Sequence, residues 1–349
     1  MIKPGLKPIQ QLRLPPLPTI KDIIKLYKLR ALKQLSQNFL LDSRITNKIV
    51  KAAGPLQGGE VMEVGPGPGG ITRSILAKNP SKVILVEKDA RFLPALEMLA
   101  EAAPCPVSVY RGDVLTFNME EMFNKELRHE WSERPPNIHL IGNLPFSVAT
   151  RLIILWLQDI SQRKNAWKFG RVPMTLTFQQ EVAERMAAPV MTSQRCRLSI
   201  MCQNWCHVHH KFNIPGSAFL PKPDVNVGVV HLVPCENPII DLPFELVEKV
   251  VRCVFSFRQK YCVRGVETLF PSGSWERLIP EMMDRAEVNP KSRPFQLTLP
   301  EFGRLCHVYA EIIRREPTLA RYNNRKAKVE DTEEEEEDDD GAAEAIERL

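Results

Sequence analysis

From residue 60 onward the chain alternates short aliphatic runs with longer stretches whose apolar residues recur every three or four positions. Glu60–Gly65, Lys82–Lys88, Val107–Asp113 and Asn137–Leu144 have the length and β-branched content of buried strands. Between the first three of them, Ile71–Lys78 and Ala90–Ala103 carry helical spacing. Alternation of this kind predicts an α/β class, a parallel sheet covered by helices. A strand over Met174–Phe178 precedes a helix over Gln179–Ala187. His207–Ile214 and Gly228–Val233 predict a closing antiparallel pair around the loop Pro215–Asn226. Past Asn237 the strand pattern stops, and Phe244–Phe257, Trp275–Arg285 and Pro300–Arg315 predict a smaller, all-helical domain.

The two ends read differently. Residues 1–19 hold five prolines and no acidic residue, which predicts an extended segment. Lys3, Lys7, Arg13 and Lys21 give it the basic bias of an organelle-targeting leader, without a leader's serines and amphipathic arginines. Ile20–Leu35 reads as a basic helix with Ile20, Ile23, Ile24, Tyr27 and Ala31 near one face. The run from Glu330 has too little apolar content to fold and is read as disordered. The resulting division is 1–35, a basic extension and helix; 36–236, the α/β domain; 237–322, the helical domain; and 323–349, an acidic tail.

Composition adds little to this picture, but charge changes it. Hydrophobic content of 44% is ordinary for a soluble protein, and no apolar run reaches membrane-spanning length. Eight scattered cysteines without paired Cys-x-x-Cys motifs point to a reducing compartment. The net charge of +5 conceals twelve acidic groups against one basic in residues 330–349. The remaining chain holds 46 basic against 30 acidic side chains, a net of +16. Such a body suits a polyanionic partner, because neutralising phosphates releases counterions. A basic protein with no nucleic-acid role stays open on charge alone.

Candidate chemistry begins where the first predicted strand ends. Gly65, Gly67 and Gly70 in Glu63-Val64-Gly65-Pro66-Gly67-Pro68-Gly69-Gly70 satisfy G-x-G-x-x-G, on its own a weak dinucleotide signal. Pro66 and Pro68 lack N–H groups, so this turn offers a pyrophosphate fewer donors. S-adenosylmethionine has no phosphate and needs the close backbone approach that glycines allow. Glu87 ends the second strand, where a carboxylate can accept from both ribose hydroxyls. Asp113 ends the third, where its carboxylate can accept from the exocyclic amine of the cofactor's adenine. Together they predict a Rossmann-like, S-adenosylmethionine-dependent methyltransferase sheet.

Asn143-Leu144-Pro145-Phe146 follows the fourth strand. The lone pair of an exocyclic adenine nitrogen is delocalised into the ring, and two acceptors on the amine free it to attack. The Asn143 side-chain oxygen and the Leu144 carbonyl can serve, with Pro145 fixing the turn. Phe146 can stack on a base taken out of its own stack.

These residues resemble the ribosomal RNA adenine dimethylase family, most closely its mitochondrial branch, over about Gln34 to Tyr309. Gln37-Asn38-Phe39-Leu40 looks like the entry motif, Glu63-Val64-Gly65-Pro66-Gly67 the cofactor loop and Asn143-Leu144-Pro145-Phe146 the catalytic motif. Further hallmarks are Gln180-Glu181-Val182-Ala183-Glu184-Arg185 and Phe219-Leu220-Pro221-Lys222-Pro223. Phe255-Ser256-Phe257-Arg258-Gln259-Lys260 and Arg293-Pro294-Phe295-Gln296-Leu297 resemble the closing signatures. The resemblance implies that Gln37, Asn38, Leu40, Gly65, Gly67, Glu87, Lys88, Asp113, Val114 and Asn143 contact the cofactor or its pocket. It also implies that Phe219 faces Phe146 across the target adenine, and that the helical domain binds RNA. The implied substrate is a pair of adjacent adenines in the hairpin near the 3′ end of mitochondrial small-subunit rRNA, each dimethylated by a monomer in the matrix, in support of ribosome assembly. A role beside the mitochondrial transcription machinery, as a nucleic-acid-binding factor without turnover, is the competing reading. Gln259 stands where the family commonly has arginine, which weakens one phosphate contact, and Asn226 where many members have serine.

Cys202-x-x-x-Cys206-His207-x-His209-His210 offers enough ligands to suggest zinc. Its spacing fits no standard site, so no metal is predicted. Cys253, Cys262 and Cys306 read as buried apolar residues.

Overall fold

The computed structural model describes residues 18–26 and 38–324. The predicted extended N-terminus, the later part of the Ile20–Leu35 helix, Gln37 and the acidic tail lie outside the described residues. Ile20–Leu26 is helical.

Within the described residues the chain forms two compact units. One runs to Ala187 and resumes over Trp205–Asn237; the other takes Ala188–Asn204 and the chain from Pro238 onward. The strand pattern assigns 188–204 to the α/β domain, whereas the structure gathers that segment into the second unit. There the Asn204 side chain donates to the Ile240 carbonyl (3.2 Å) and accepts from its N–H (2.7 Å).

The first unit carries seven strands in one sheet: β1 (Glu60–Val64), β2 (Lys82–Glu87), β3 (Val107–Arg111), β4 (Ile138–Gly142), β5 (Met174–Gln179), β6 (Cys206–Ile214) and β7 (Val227–Pro234). Their order is β3-β2-β1-β4-β5-β7-β6. The first five are parallel, and β7 runs antiparallel to both β5 and β6. This is the α/β class, a mostly parallel Rossmann-like sheet, that the strand pattern predicts. Every residue of β1 and β4 is buried, as continuous aliphatic runs require when helices cover both faces. From β1 the chain winds outward through β2 and β3, then returns to β4 on the other side. The strand order therefore reverses between β1 and β4, and a crevice opens at their carboxyl ends. Val64 and Gly142 are register partners there. A Cβ on Gly142 would lie 2.6 Å from Val64 Cγ2, so the two strands approach this closely only with glycine.

Several elements differ from the sequence reading. The strand drawn to Asp113 ends at Arg111, and the Asp113 carboxylate instead accepts from the Leu115 N–H (3.0 Å), forming a turn. Phe146–Gln162 is a 17-residue helix that the strand–helix alternation did not single out. Its buried residues Ala149, Leu152, Ile153, Trp156, Leu157 and Ile160 recur at helical spacing. Ser43–Ala52 is a further helix, capped by the Asp42 carboxylate. Inside the loop after β6, Phe219–Leu220 forms a two-residue strand paired with Phe39–Leu40.

The second unit is built of helices, including Phe244–Val254, Cys262–Glu267, Trp275–Arg285 and Leu299–Arg315. Val250, Leu278, Met282, Leu305 and Tyr309 are buried in it, and the Phe255 and Phe302 rings stack at 5.6 Å. Among the described residues no helix is long and apolar enough to cross a membrane.

Candidate active site

The chain leaves β1 into the glycine turn and leaves β4 into Asn143, so the two candidate motifs begin side by side at the crevice. Gly65 and Gly67 adopt φ of +67° and +53°, where a side chain would strain the backbone. A Cβ on Gly65 would also sit 3.2 Å from Leu144 Cδ2, so the turn lies directly against the second motif. The Gly67 N–H donates to Glu87 Oε2 (2.9 Å), and the Asp89 N–H donates to Glu87 Oε1 (2.8 Å). Each carboxylate oxygen keeps a further lone pair. Burial raises the Glu87 pKa above the usual carboxylate range, outweighing the pull of these two donors.

Glu63, buried near the end of β1, accepts from the Thr72 hydroxyl at 2.5 Å. Burial pushes its carboxyl up to about 8, against that hydrogen bond and with the help of the Glu87 charge. The Asn143 carboxamide is held at both ends: Nδ2 donates to the Asn38 carbonyl (3.2 Å), and Oδ1 accepts from the Thr177 hydroxyl (2.8 Å). Pro145 opens the helix Phe146–Gln162, its carbonyl accepting from Val148 and Ala149. Phe219 is brought in by pairing with Leu40.

One cleft is lined by Asn38, Leu40, Gly65, Gly67, Glu87, Asn143, Leu144, Pro145, Phe146 and Phe219, all of them sequence-predicted site residues. Glu63, Phe39 and Phe92 line it too. Glu63 has no role in the sequence-based site, although a carboxyl inside an aliphatic strand is itself a signal. Three predicted residues stand elsewhere. Lys88 and Asp113 form an ion pair at 2.8 Å, and Val114 lines a different cavity. The Lys88 ammonium holds the Asp113 carboxyl below its ordinary pKa.

Two carboxyl groups and no lysine, arginine or histidine line the cleft among the described residues. Without a cation to pair a phosphate, and with the Glu87 carboxyl in its wall, such a lining suits a nucleoside that carries positive charge better than a pyrophosphate. The glycine turn, the two Glu87 oxygens at the end of β2 and the apolar walls fit S-adenosylmethionine. The described residues hold no group of three or more His, Cys, Asp or Glu side chains placed to bind a metal. The Cys202 and Cys206 side chains are buried, and His210 Nε2 lies 2.7 Å from Asn213 Oδ1.

A profile of the family described as ribosomal RNA adenine dimethylase matches residues 28–301. Mitochondrial dimethyladenosine transferase 1 of Xenopus laevis is 54% identical over 326 residues, covering 93% of this chain and 94% of the relative. The Homo sapiens protein of that name is 54% identical over 327 residues, covering 92% and 94%. Among solved structures, a dimethyladenosine transferase from Plasmodium falciparum shares the fold. Its TM-score is 0.59 at 23% identity, covering 77% of this chain and 96% of that one.

Proposed function

The chain belongs to the ribosomal RNA adenine dimethylase family, and from that premise we propose that it methylates N6 of adenine in rRNA twice, with S-adenosylmethionine as donor. The substrate we propose is the adjacent adenine pair in the 3′-terminal hairpin of mitochondrial small-subunit rRNA, modified in the matrix during assembly of the subunit. The mitochondrial names of the relatives support the mitochondrion as the compartment. Action as a monomer is part of the same proposal.

One observation carries the reading: a cleft with the Glu87 carboxyl at the end of β2 and no cationic side chain in its wall, among the described residues, also carries Asn143, Leu144, Pro145 and Phe146. The cofactor supplies an electrophilic methyl group on a sulfonium. The protein's own contribution is binding and orientation. Glu87 accepts from the ribose hydroxyls, and the glycine turn lets the backbone close on the ligand. Phe146 and Phe219 stack on the extruded base. Asn143 Oδ1 and the Leu144 carbonyl accept from the target amine, which frees its lone pair toward the methyl group. Lys88, Asp113 and Val114 are proposed to contact the adenine end of the cofactor, with Gln37 extending the Asn38–Leu40 side.

Tritiated methyl transfer to the hairpin RNA tests this. Wild type incorporates label, and Asn143→Ala loses it by at least about a hundredfold, as for removal of a group acting on the transition state. Tight RNA binding by the wild type without incorporation would favour a nucleic-acid-binding factor instead.

A further inference from the structure

Thr177 lies on β5 among Met174, Leu176 and Phe178, all buried, and is itself fully buried. Valine has nearly the same shape, favours strands and carries no polar atom to desolvate. A hydroxyl here is tolerated only with a partner, and its partner is Oδ1 of Asn143, 2.8 Å away. The sheet register explains the contact: Gly142 pairs with Leu176, which sets Asn143 beside Thr177 one residue further on. At the other end of the carboxamide, Nδ2 donates to the Asn38 carbonyl at 3.2 Å.

This arrangement bears on how an amide can serve as an acceptor. A carboxamide presents an oxygen or a nitrogen depending on a half-turn about its last bond, and only the oxygen can accept from an amine. The Asn38 carbonyl selects the orientation, because a flipped amide would set two oxygens against each other. The Thr177 hydroxyl then fixes the rotation, using one lone pair of Oδ1 and leaving the second in a set direction in the amide plane. We infer that Thr177 is a positioning residue for the methyl transfer: through its hydroxyl it aims the free lone pair of Asn143 Oδ1 at the target amine. The inference rests on Asn143 being the amine acceptor proposed above.

The full-length chain, hairpin RNA and labelled S-adenosylmethionine suffice to test it. Thr177→Val lowers kcat by about tenfold or more, while KM for the RNA and calorimetric cofactor affinity stay within about twofold. Thr177→Ser, which keeps the hydroxyl, restores kcat to within about threefold of wild type. Thr177→Ala serves as a second hydroxyl-free variant should the valine fail to fold. In an Asn143→Ala background, Thr177→Val costs nothing further, because the group it acts through is gone. Wild-type kcat in Thr177→Val beside an inactive Asn143→Ala would overturn this inference and leave the role of Asn143 standing. Full activity in Asn143→Ala would overturn the role of Asn143 itself. A Thr177→Val chain that lost thermal stability and cofactor affinity along with kcat, or a serine variant no better than valine, would reduce Thr177 to a packing residue.

Discussion

Glu63 carries a charge question that its neighbours do not resolve. Its carboxyl is buried, has one hydroxyl donor, and is pushed up to about 8. At neutral pH the folded chain therefore holds a proton there that the unfolded chain has released. The stability tied to this group is complete below the ordinary carboxylate pKa of 4.5 and is lost as pH rises toward 8. Glu63→Gln keeps an acceptor for Thr72 and removes the titration. Its melting temperature gains on wild type as the pH is raised through that window, and parallel melting curves would refute the assignment. The same proton reports on the ligand. A sulfonium in the cleft favours the ionised carboxyl, so cofactor binding at about pH 7 releases protons, whereas binding of the neutral thioether product releases fewer. Calorimetry in buffers of different ionisation heat measures the difference. With Glu87 at the ribose end, as proposed, Glu87→Ala weakens cofactor binding by about tenfold or more and leaves RNA affinity nearly unchanged. Equal cofactor affinity in calorimetry would remove Glu87 from the site.

The helix Phe146–Gln162 connects the site to the core. It starts at Pro145, with Phe146 in the cleft, and its inner face packs Leu152, Ile153, Trp156 and Leu157 out of solvent. The Trp156 and Trp167 rings meet edge to face at 5.6 Å. Trp156→Ala removes a large, fully packed side chain and costs about 3–5 kcal/mol. Chemical denaturation would show the loss, and a change under about 1 kcal/mol would mean that the helix is not anchored there. The site was most legible in the sequence where chemistry and strand ends coincide. Gly65, Glu87 and Asn143 each stand within a residue of a strand terminus, and a parallel sheet gathers such ends by topology. Asp113, also named from the sequence, lies two residues past the end of its strand at Arg111, with its carboxylate paired to Lys88. Thr177 was not legible in this way. Its sequence position reads as one more β-branched strand residue, and only the register with β4 sets its hydroxyl against Asn143. The helix Phe146–Gln162 was hidden by its own content, since an aliphatic stretch after a strand reads as readily as strand as it does as buried helix.

Over the whole chain, charge is distributed more unevenly than any local pattern. Residues 1–329 carry +16 and the last twenty carry twelve acids against one base, for an overall +5. A polyanionic substrate approaching from a distance responds to the sum of these charges, and the field that steers it extends about 10 Å at 0.1 M salt. The tail therefore offsets part of the attraction wherever it lies within that range of the body. Deleting residues 330–349 raises the net charge to +16, removes no residue of the cleft and leaves the cofactor chemistry unchanged. The shortened chain associates with the hairpin RNA faster at about 50 mM salt, and the advantage fades toward about 500 mM as screening shortens the field. Its plot of log affinity against log salt is steeper than that of the full chain, because the acids no longer neutralise bases that would otherwise displace counterions. Stopped-flow association across a salt series measures both quantities. Identical rates at low salt would place the tail's charge beyond electrostatic reach of the RNA path and leave it a role in solubility alone.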